Sequence, residues 1–206
     1  SSDVCSSDLC FYAKKAGGFK NGVNRRDMKI ALDAMGGDRA PAAIVEGAVL
    51  AAKEYDVALI LVGDRDAVSS ELAKHNTEGC SISITHASQV VDMHDTPSMV
   101  IRKKRDSSIW VATKLVKDKE AVAVISAGNT GAAMAAAFFV LGPIKGVERP
   151  AIATLLPTIS GTTIMIDVGA NVDCKAEHLF QFGIMGDIYA KYIQENKSKD
   201  RAFKHR

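Results

Sequence analysis

No apolar run in the 206-residue chain is longer than Ala132–Leu141. A bilayer-spanning helix needs about 20 such residues, so no transmembrane helix is expected. The N-terminal stretch lacks the combination of basic start, apolar core and small-residue cleavage site that marks a secretory signal. Cysteines number four, and none sits in a Cys-x-x-Cys or Cys/His zinc spacing. Cys5 and Cys10 fall in a tandem repeat, Ser-Ser-Asp-Val-Cys then Ser-Ser-Asp-Leu-Cys, while Cys80 and Cys174 stand far apart. Reduced thiols in a cytoplasmic protein are the expectation, and nothing calls for a metal or an organic cofactor. Neither a Walker loop nor the G-x-G-x-x-G dinucleotide fingerprint is present.

An excess of charge is also missing where it would matter. The chain carries +2 overall, but residues 28–194 hold sixteen Lys/Arg against nineteen Asp/Glu, or −3. The positive balance belongs to residues 1–27 and 195–206, so it does not argue for nucleic acid. Residues 1–27 read as a non-native or unstructured leader with Met28 as initiator. Residues 195–206 read as a basic tail that loses the apolar period.

What is there is ordinary globular composition, 47% apolar and 24% charged, which excludes a disordered, collagen-like or disulfide-scaffold chain. Strand and helix patterns alternate along residues 28–194. Lys29–Ala34, Val57–Val62, Ser81–Thr85 and Ala121–Ile125 read as strands. Helices are expected from Pro41 through Ala52, from Asp66 to about Asn76, from Thr96-Pro97 across the basic cluster, over Ser107–Val116, over Ala132–Leu141 and over Lys175–Ile193. Ala151–Leu156 and Thr163–Val168 read as two more strands joined through Ser160-Gly161. Such alternation implies an α/β sheet covered on both faces, with ligands at the carboxyl ends of the strands.

Four strand-end segments carry residues with chemical potential. Asp33-Ala34-Met35-Gly36-Gly37-Asp38 pairs glycines with two acids, which permits a tight turn and close approach of a ligand to the backbone. It is equally readable as a structural turn. Ser126-Ala127-Gly128-Asn129-Thr130-Gly131 follows a strand and opens a helix, a geometry that suits an anion. Arg102-Lys103-Lys104-Arg105 precedes Ser107-Ser108, and reads either as a solvated helix face or as an oxyanion cradle. Asp167 to Lys175 crowds Asn171, Asp173 and Lys175 at another strand end, where Asp173 could instead be a helix cap. Cys174 has no base at recognisable spacing and reads as a packing residue. His94 reads as structural.

Together, Asp33–Pro41, Met93–Ser108, Ser126–Ala153 and Asp167–Ala190 resemble the phosphate acyltransferases of bacterial phospholipid synthesis, the PlsX family. The resemblance runs from Met28 to about Tyr192 and covers the N-terminal half or so of the longer family chain. Arg105 stands where the family usually has Lys, and the residues after Gln194 leave its pattern.

The resemblance implies a three-layer α/β/α fold with a mostly parallel sheet, like that of the isocitrate/isopropylmalate dehydrogenases, here incomplete at its C-terminus. It implies transfer of the acyl group of acyl-acyl carrier protein to inorganic phosphate, giving an acyl phosphate. It also implies a cytoplasmic, peripherally membrane-associated homodimer. On that basis Ser126, Gly128, Asn129, Thr130 and Gly131 are expected to bind phosphate or the developing oxyanion. Arg102, Lys104, Ser107 and Ser108 are expected to hold phosphate charge, and Asp33, Gly36, Gly37 and Asp38 to shape the pocket floor. Asn171, Asp173 and Lys175 are expected to position the thioester and assist the leaving thiolate. The rival readings are a phosphotransacetylase-type enzyme using acyl-coenzyme A and an inactive phosphate-binding fragment.

Overall fold

The computed structural model describes residues 28–159, 161–169 and 173–203, the last eleven by backbone alone. The leader 1–27 and Asn171 lie outside the described residues. The chain divides into two compact units that meet at Gly142/Pro143.

The first unit runs β1 (Lys29–Asp33), α1 (Ala42–Tyr55), β2 (Ala58–Gly63), α2 (Arg65–Leu72), β3 (Ile82–His86), α3 (Pro97–Lys103), α4 (Ser108–Lys117), β4 (Ala123–Ile125) and α5 (Thr130–Ala136), with a π-helical turn over Ala137–Leu141. All four strands are parallel, in the order β3-β2-β1-β4. β2 is one of the two inner strands, and each of its six residues, Ala-Leu-Ile-Leu-Val-Gly, is buried. That accounts for its unbroken aliphatic sequence, since a strand covered on both faces has no polar side to show.

Alternate side chains of the sheet go to opposite faces. Leu59 and Leu61 join Val45, Ala48 and Ala52 of α1 and Val68 of α2 in one core. Ala31, Ile60, Val62 and Val124 join Ile109, Ala112, Leu115 and Val116 of α4 and Ala132, Ala133 and Ala136 of α5 in the other. The result is three layers, α/β/α. Val45, Leu61, Val62 and Val68 are fully buried, and each such side chain contributes roughly 1.5–3 kcal/mol through lost apolar surface.

The strand order fixes where a ligand can enter. Successive crossovers carry the chain from β1 out to β3, and the long α3–α4 connection then returns it to the far side of β1. The order therefore reverses between β1 and β4. At such a reversal the connections leave on opposite faces and open a crevice at the strands' carboxyl ends.

The second unit holds β5 (Ala153–Thr158) and β6 (Gly161–Ile166), an antiparallel hairpin, and the helix α6 (Ala176–Phe203). β5 and β6 form their own two-stranded sheet rather than extending the parallel one.

Several boundaries differ from the sequence expectation, each for a local reason. Helix α2 is capped by Asp64, whose carboxylate accepts from Ala67 N at 2.8 Å, and not by Asp66. It stops at Leu72, not Asn76, and turns follow. Pro41 stands one residue before α1 rather than inside it. Helix α3 ends at Lys103, inside the basic cluster, so Lys104–Ser107 form a bend instead of a helix face. The apolar run Ala132–Leu141 is not one regular helix: Asn129 caps α5 two residues earlier than expected, and its last turn widens to π geometry. Helix α6 continues to Phe203, past the expected end at Ile193. Its Lys-, Glu- and Arg-rich extension has lost its apolar period but keeps good helix formers.

Candidate active site

β1 ends at Asp33, whose carboxyl is 3% exposed. Oδ1 accepts from Met35 N at 3.2 Å, and Oδ2 accepts from the Ser126 hydroxyl at 2.7 Å. Ser108, the first residue of α4, is buried and faces the same carboxyl, whose charged form it favours. Ser126 lies at the end of β4, 93 residues along the chain from Asp33. Three segments remote in sequence therefore converge on one carboxyl at the β1/β4 reversal. Burial pushes the Asp33 pKa up, and the hydrogen bonds from Ser108, Ser126, Met35 and Gly36 pull it back only in part.

The two turns above this carboxyl are in close backbone contact. A Cβ placed on Gly36 would lie 2.5 Å from Asp33 Oδ2 and 2.9 Å from Ser126 Oγ, and one placed on Gly128 would lie 3.0 Å from Gly36 Cα. Gly37 has φ +105°, and its Cβ position lies 3.0 Å from the Ala127 carbonyl. These glycines are demanded by approach and by backbone conformation together. Asp38, at the end of the turn, is exposed.

From Ser126 the chain enters α5. Ser126 Oγ accepts from Gly128 N at 3.1 Å. Asn129 caps the helix, its Oδ1 accepting from Ala132 N at 2.9 Å. Its Nδ2 donates to three carbonyls, those of Asp92 (3.1 Å), Met93 (3.0 Å) and Asp95 (3.0 Å). Thr130 and Gly131 open the helix, where first-turn N–H groups have no intrahelical acceptor. The Cβ position of Gly131 lies 3.1 Å from Pro97 Cγ, so the starts of α3 and α5 touch.

The segment from Ser88 to Ser108 is cross-braced. Lys104 Nζ pairs with Asp95 Oδ2 at 2.5 Å and donates to the Val90 carbonyl at 2.8 Å. The Lys104 ammonium holds the Asp95 carboxyl below its ordinary range, helped by the Asp92 backbone. Gln89 Oε1 accepts from Asp106 N at 3.1 Å, and its Nε2 donates to the Lys103 carbonyl at 3.2 Å. Ser107 Oγ donates to the Lys104 carbonyl at 2.7 Å. Arg105 Nε donates to the Ile101 carbonyl, with the guanidinium 5.9 Å from the Trp110 ring centre. Arg102 and Lys103 are exposed. Of the four adjacent cations, one is neutralised by an acid and one rests on an aromatic face.

The structure thus brings together Asp33, Gly36, Gly37, Ser107, Ser108, Ser126, Gly128, Asn129, Thr130 and Gly131, with Arg102 and Lys104 on the segment that Asn129 fastens. Asp38 ends the same turn but is exposed, and Asp173 and Lys175 belong to the second unit. The Asp173 carbonyl accepts from Arg149 at 3.0 Å, and Lys175 N donates to His178 Nδ1 at 3.1 Å. The Cys174 sulfur lies 3.5 Å from Asp167 Oδ2. Partial desolvation and the Asp167 carboxylate push that thiol up, away from the thiolate a nucleophile needs.

Sequence reasoning missed Gln89, Asp92 and Asp95. The available signal was the run Asp92-Met93-His94-Asp95-Thr96-Pro97, where attention falls on the histidine. His94 is exposed, and its backbone N–H is held by Asp92 Oδ1 at 2.9 Å.

The first unit is a doubly wound α/β unit with a buried polar cluster at its strand-order reversal, the position where open α/β sheets have their ligand crevice. The chain belongs to the family described as fatty acid synthesis protein, whose model matches residues 28–202. It is 58% identical over 166 residues to the phosphate acyltransferase of Geotalea uraniireducens strain Rf4, covering 81% of this chain and 48% of that protein. The phosphate acyltransferase of Geobacter sulfurreducens is similar to the same degree, and that of Pelotomaculum thermopropionicum is 56% identical over 166 residues. The chain spans about half the length of the curated relatives it matches.

Proposed function

We propose that the protein to which this chain belongs transfers an acyl group from acyl-acyl carrier protein to inorganic phosphate, releasing an acyl phosphate. The observation that carries this reading is the Asp33–Ser126 hydrogen bond, which joins the β1 and β4 turns beside the Arg102–Ser108 segment. The relatives' shared name supports it.

Phosphate near neutral pH is largely dianionic and already nucleophilic, so the site has to hold its charge without a strong general base. In the proposed step a phosphate oxygen attacks the thioester carbonyl, the C–O bond forms, the carbon–sulfur bond breaks, and the thiolate leaves with the carrier. Negative charge grows on the carbonyl oxygen in between, and preorganised donors each stabilise it by roughly 3–4 kcal/mol. The Thr130 and Gly131 amides and the Arg102 guanidinium are the proposed donors. Ser107, Ser108, Ser126, Gly128, Asn129 and Lys104 spend their hydrogen bonds within the protein and are proposed to set the geometry. Gly36, Gly37 and Asp38 form the floor.

For Asn171, Asp173 and Lys175, the roles of positioning the thioester and assisting the thiolate rest on the family resemblance of their block. A cytoplasmic homodimer resting on the membrane surface belongs to the same reading. Among the described residues no helix is long and apolar enough to cross a membrane.

The test is turnover by the full-length protein with acyl-acyl carrier protein, then acyl-coenzyme A, with and without phosphate. Phosphate-dependent thiol release and an acyl phosphate trapped by hydroxylamine are expected with the carrier protein. Preference for the coenzyme A thioester would indicate a phosphotransacetylase-type enzyme. Thermal stabilisation by phosphate without transfer would leave only a binding module.

A further inference from the structure

We propose that Asp33 is the positioning residue of this site: through the Ser126 hydroxyl it fixes the Gly128 amide and hence the turn that receives the anion, without touching the anion itself. This rests on the functional reading above and adds to it a division of labour.

The argument begins with directionality. In its ionised form Asp33 only accepts hydrogen bonds. Ser126 then turns its single proton onto Asp33 Oδ2, at 2.7 Å. That leaves an oxygen lone pair for Gly128 N–H, at 3.1 Å. The relay Gly128 N–H to Ser126 O–H to Asp33 has one polarity, set at its buried end. Neither the Ser126 proton nor the Gly128 proton is then left for a ligand. Ser108, 2% exposed, is drawn to the same carboxyl, so the start of α4 shares the anchor.

Steric cover separates Asp33 from any ligand. The side of Gly36 that would carry a Cβ faces Oδ2 at 2.5 Å, so glycine backbone lies directly over the carboxylate. An anion reaching past it would meet a like charge in a poorly solvated place, which is strongly unfavourable. Burying a carboxyl here is itself costly, and an apolar residue of similar size would spare that cost. What the carboxyl adds is a fixed orientation for two hydroxyls and one amide. The groups that face it are Ser108 from α4, Ser126 from β4 and the Met35 and Gly36 backbone, and none of them is charged.

A double-mutant cycle in the full-length protein tests the division. Asp33→Asn and Ser126→Ala are each expected to raise KM for phosphate about tenfold, equivalent to ~1.4 kcal/mol, with KM for the acyl donor little changed. Because Asp33 reaches the turn through Ser126, adding Asp33→Asn to Ser126→Ala is expected to raise the phosphate KM by less than threefold more. Ser126→Thr, which keeps the hydroxyl, is expected to restore most of the loss. Multiplicative single effects, or failure of Ser126→Thr to rescue, would overturn the proposal. Should Asp33→Asn fail to fold, Ser108→Ala paired with Ser126→Ala replaces it, and the two are expected to couple because they share one carboxyl. A wild type with no turnover and no phosphate-dependent thermal shift would sink the functional reading itself. An active wild type with independent variants would sink this inference alone.

Discussion

Asn129 has two amide N–H bonds and three carbonyl oxygens within reach, so at least one proton is shared. The same side chain caps α5 through its oxygen. Replacing it by Ala removes the cap, worth about 1 kcal/mol, and unpairs the 92–95 carbonyls, worth about 1 kcal/mol more. Urea unfolding is expected to register roughly 2 kcal/mol, and limited proteolysis to cut first near residues 92–95. Glycines give a sharper contrast. Gly36→Ala forces a methyl against the Asp33 carboxylate and is expected to cost ~1–3 kcal/mol. Gly47, exposed in the middle of α1, has open space where its Cβ would go, and Gly47→Ala is expected to stabilise by ~0.5–1 kcal/mol. The same substitution thus has opposite signs at two sites, which thermal melts will resolve. Sequence alone does not separate these glycines. Gly36-Gly37 stands out by pairing after a strand, but what fills the space beside it comes from β4, far along the chain.

At the scale of elements, periodicity located almost every strand and helix, and in the first unit the reason is that the elements pack a stripe or a strand face against one of two cores. It failed where partners are remote. The Arg102–Ser108 run looks like a solvated basic face until Asp95 and Val90 claim Lys104. That braced segment has an acid limit. The Asp95 carboxyl is held below its ordinary value of 3.8 by Lys104. A carboxyl with a depressed folded pKa contributes stability that is present above the ordinary value and lost as pH falls through the folded one. Hydrogen-exchange protection in residues 92–104, taken relative to the intrinsic rate at each pH, is therefore expected to fall below about pH 4 in the wild type. In Asp95→Asn that protection is expected to be lower at neutral pH and nearly flat over that window. A wild-type profile with no acid limb would contradict the pairing.

For the whole molecule, the layered order was legible because parallel strands need long crossovers, and the chain supplies them as amphipathic helices. The hairpin β5–β6 was legible as two strands, but not as a separate sheet, since alternation within a strand does not name its neighbours. The second unit also leaves apolar surface uncovered. Phe180, Ile184, Ile188 and Tyr192 recur every four residues on α6, and all are exposed, Phe180 at 71%. Such a stripe promotes association. The 206-residue chain alone is expected to bind a hydrophobic dye and to self-associate with concentration. Phe180→Glu with Ile184→Glu is expected to reduce both without altering the first unit's melting.

Because Ser126 reaches back over 93 residues to Asp33, the proposed anion cradle cannot exist until β4 has docked beside β1. Contacts of such separation form late in a folding chain. Affinity for phosphate would then serve as a clock: during refolding, its appearance would date the closure of the sheet more sharply than any signal from the helices.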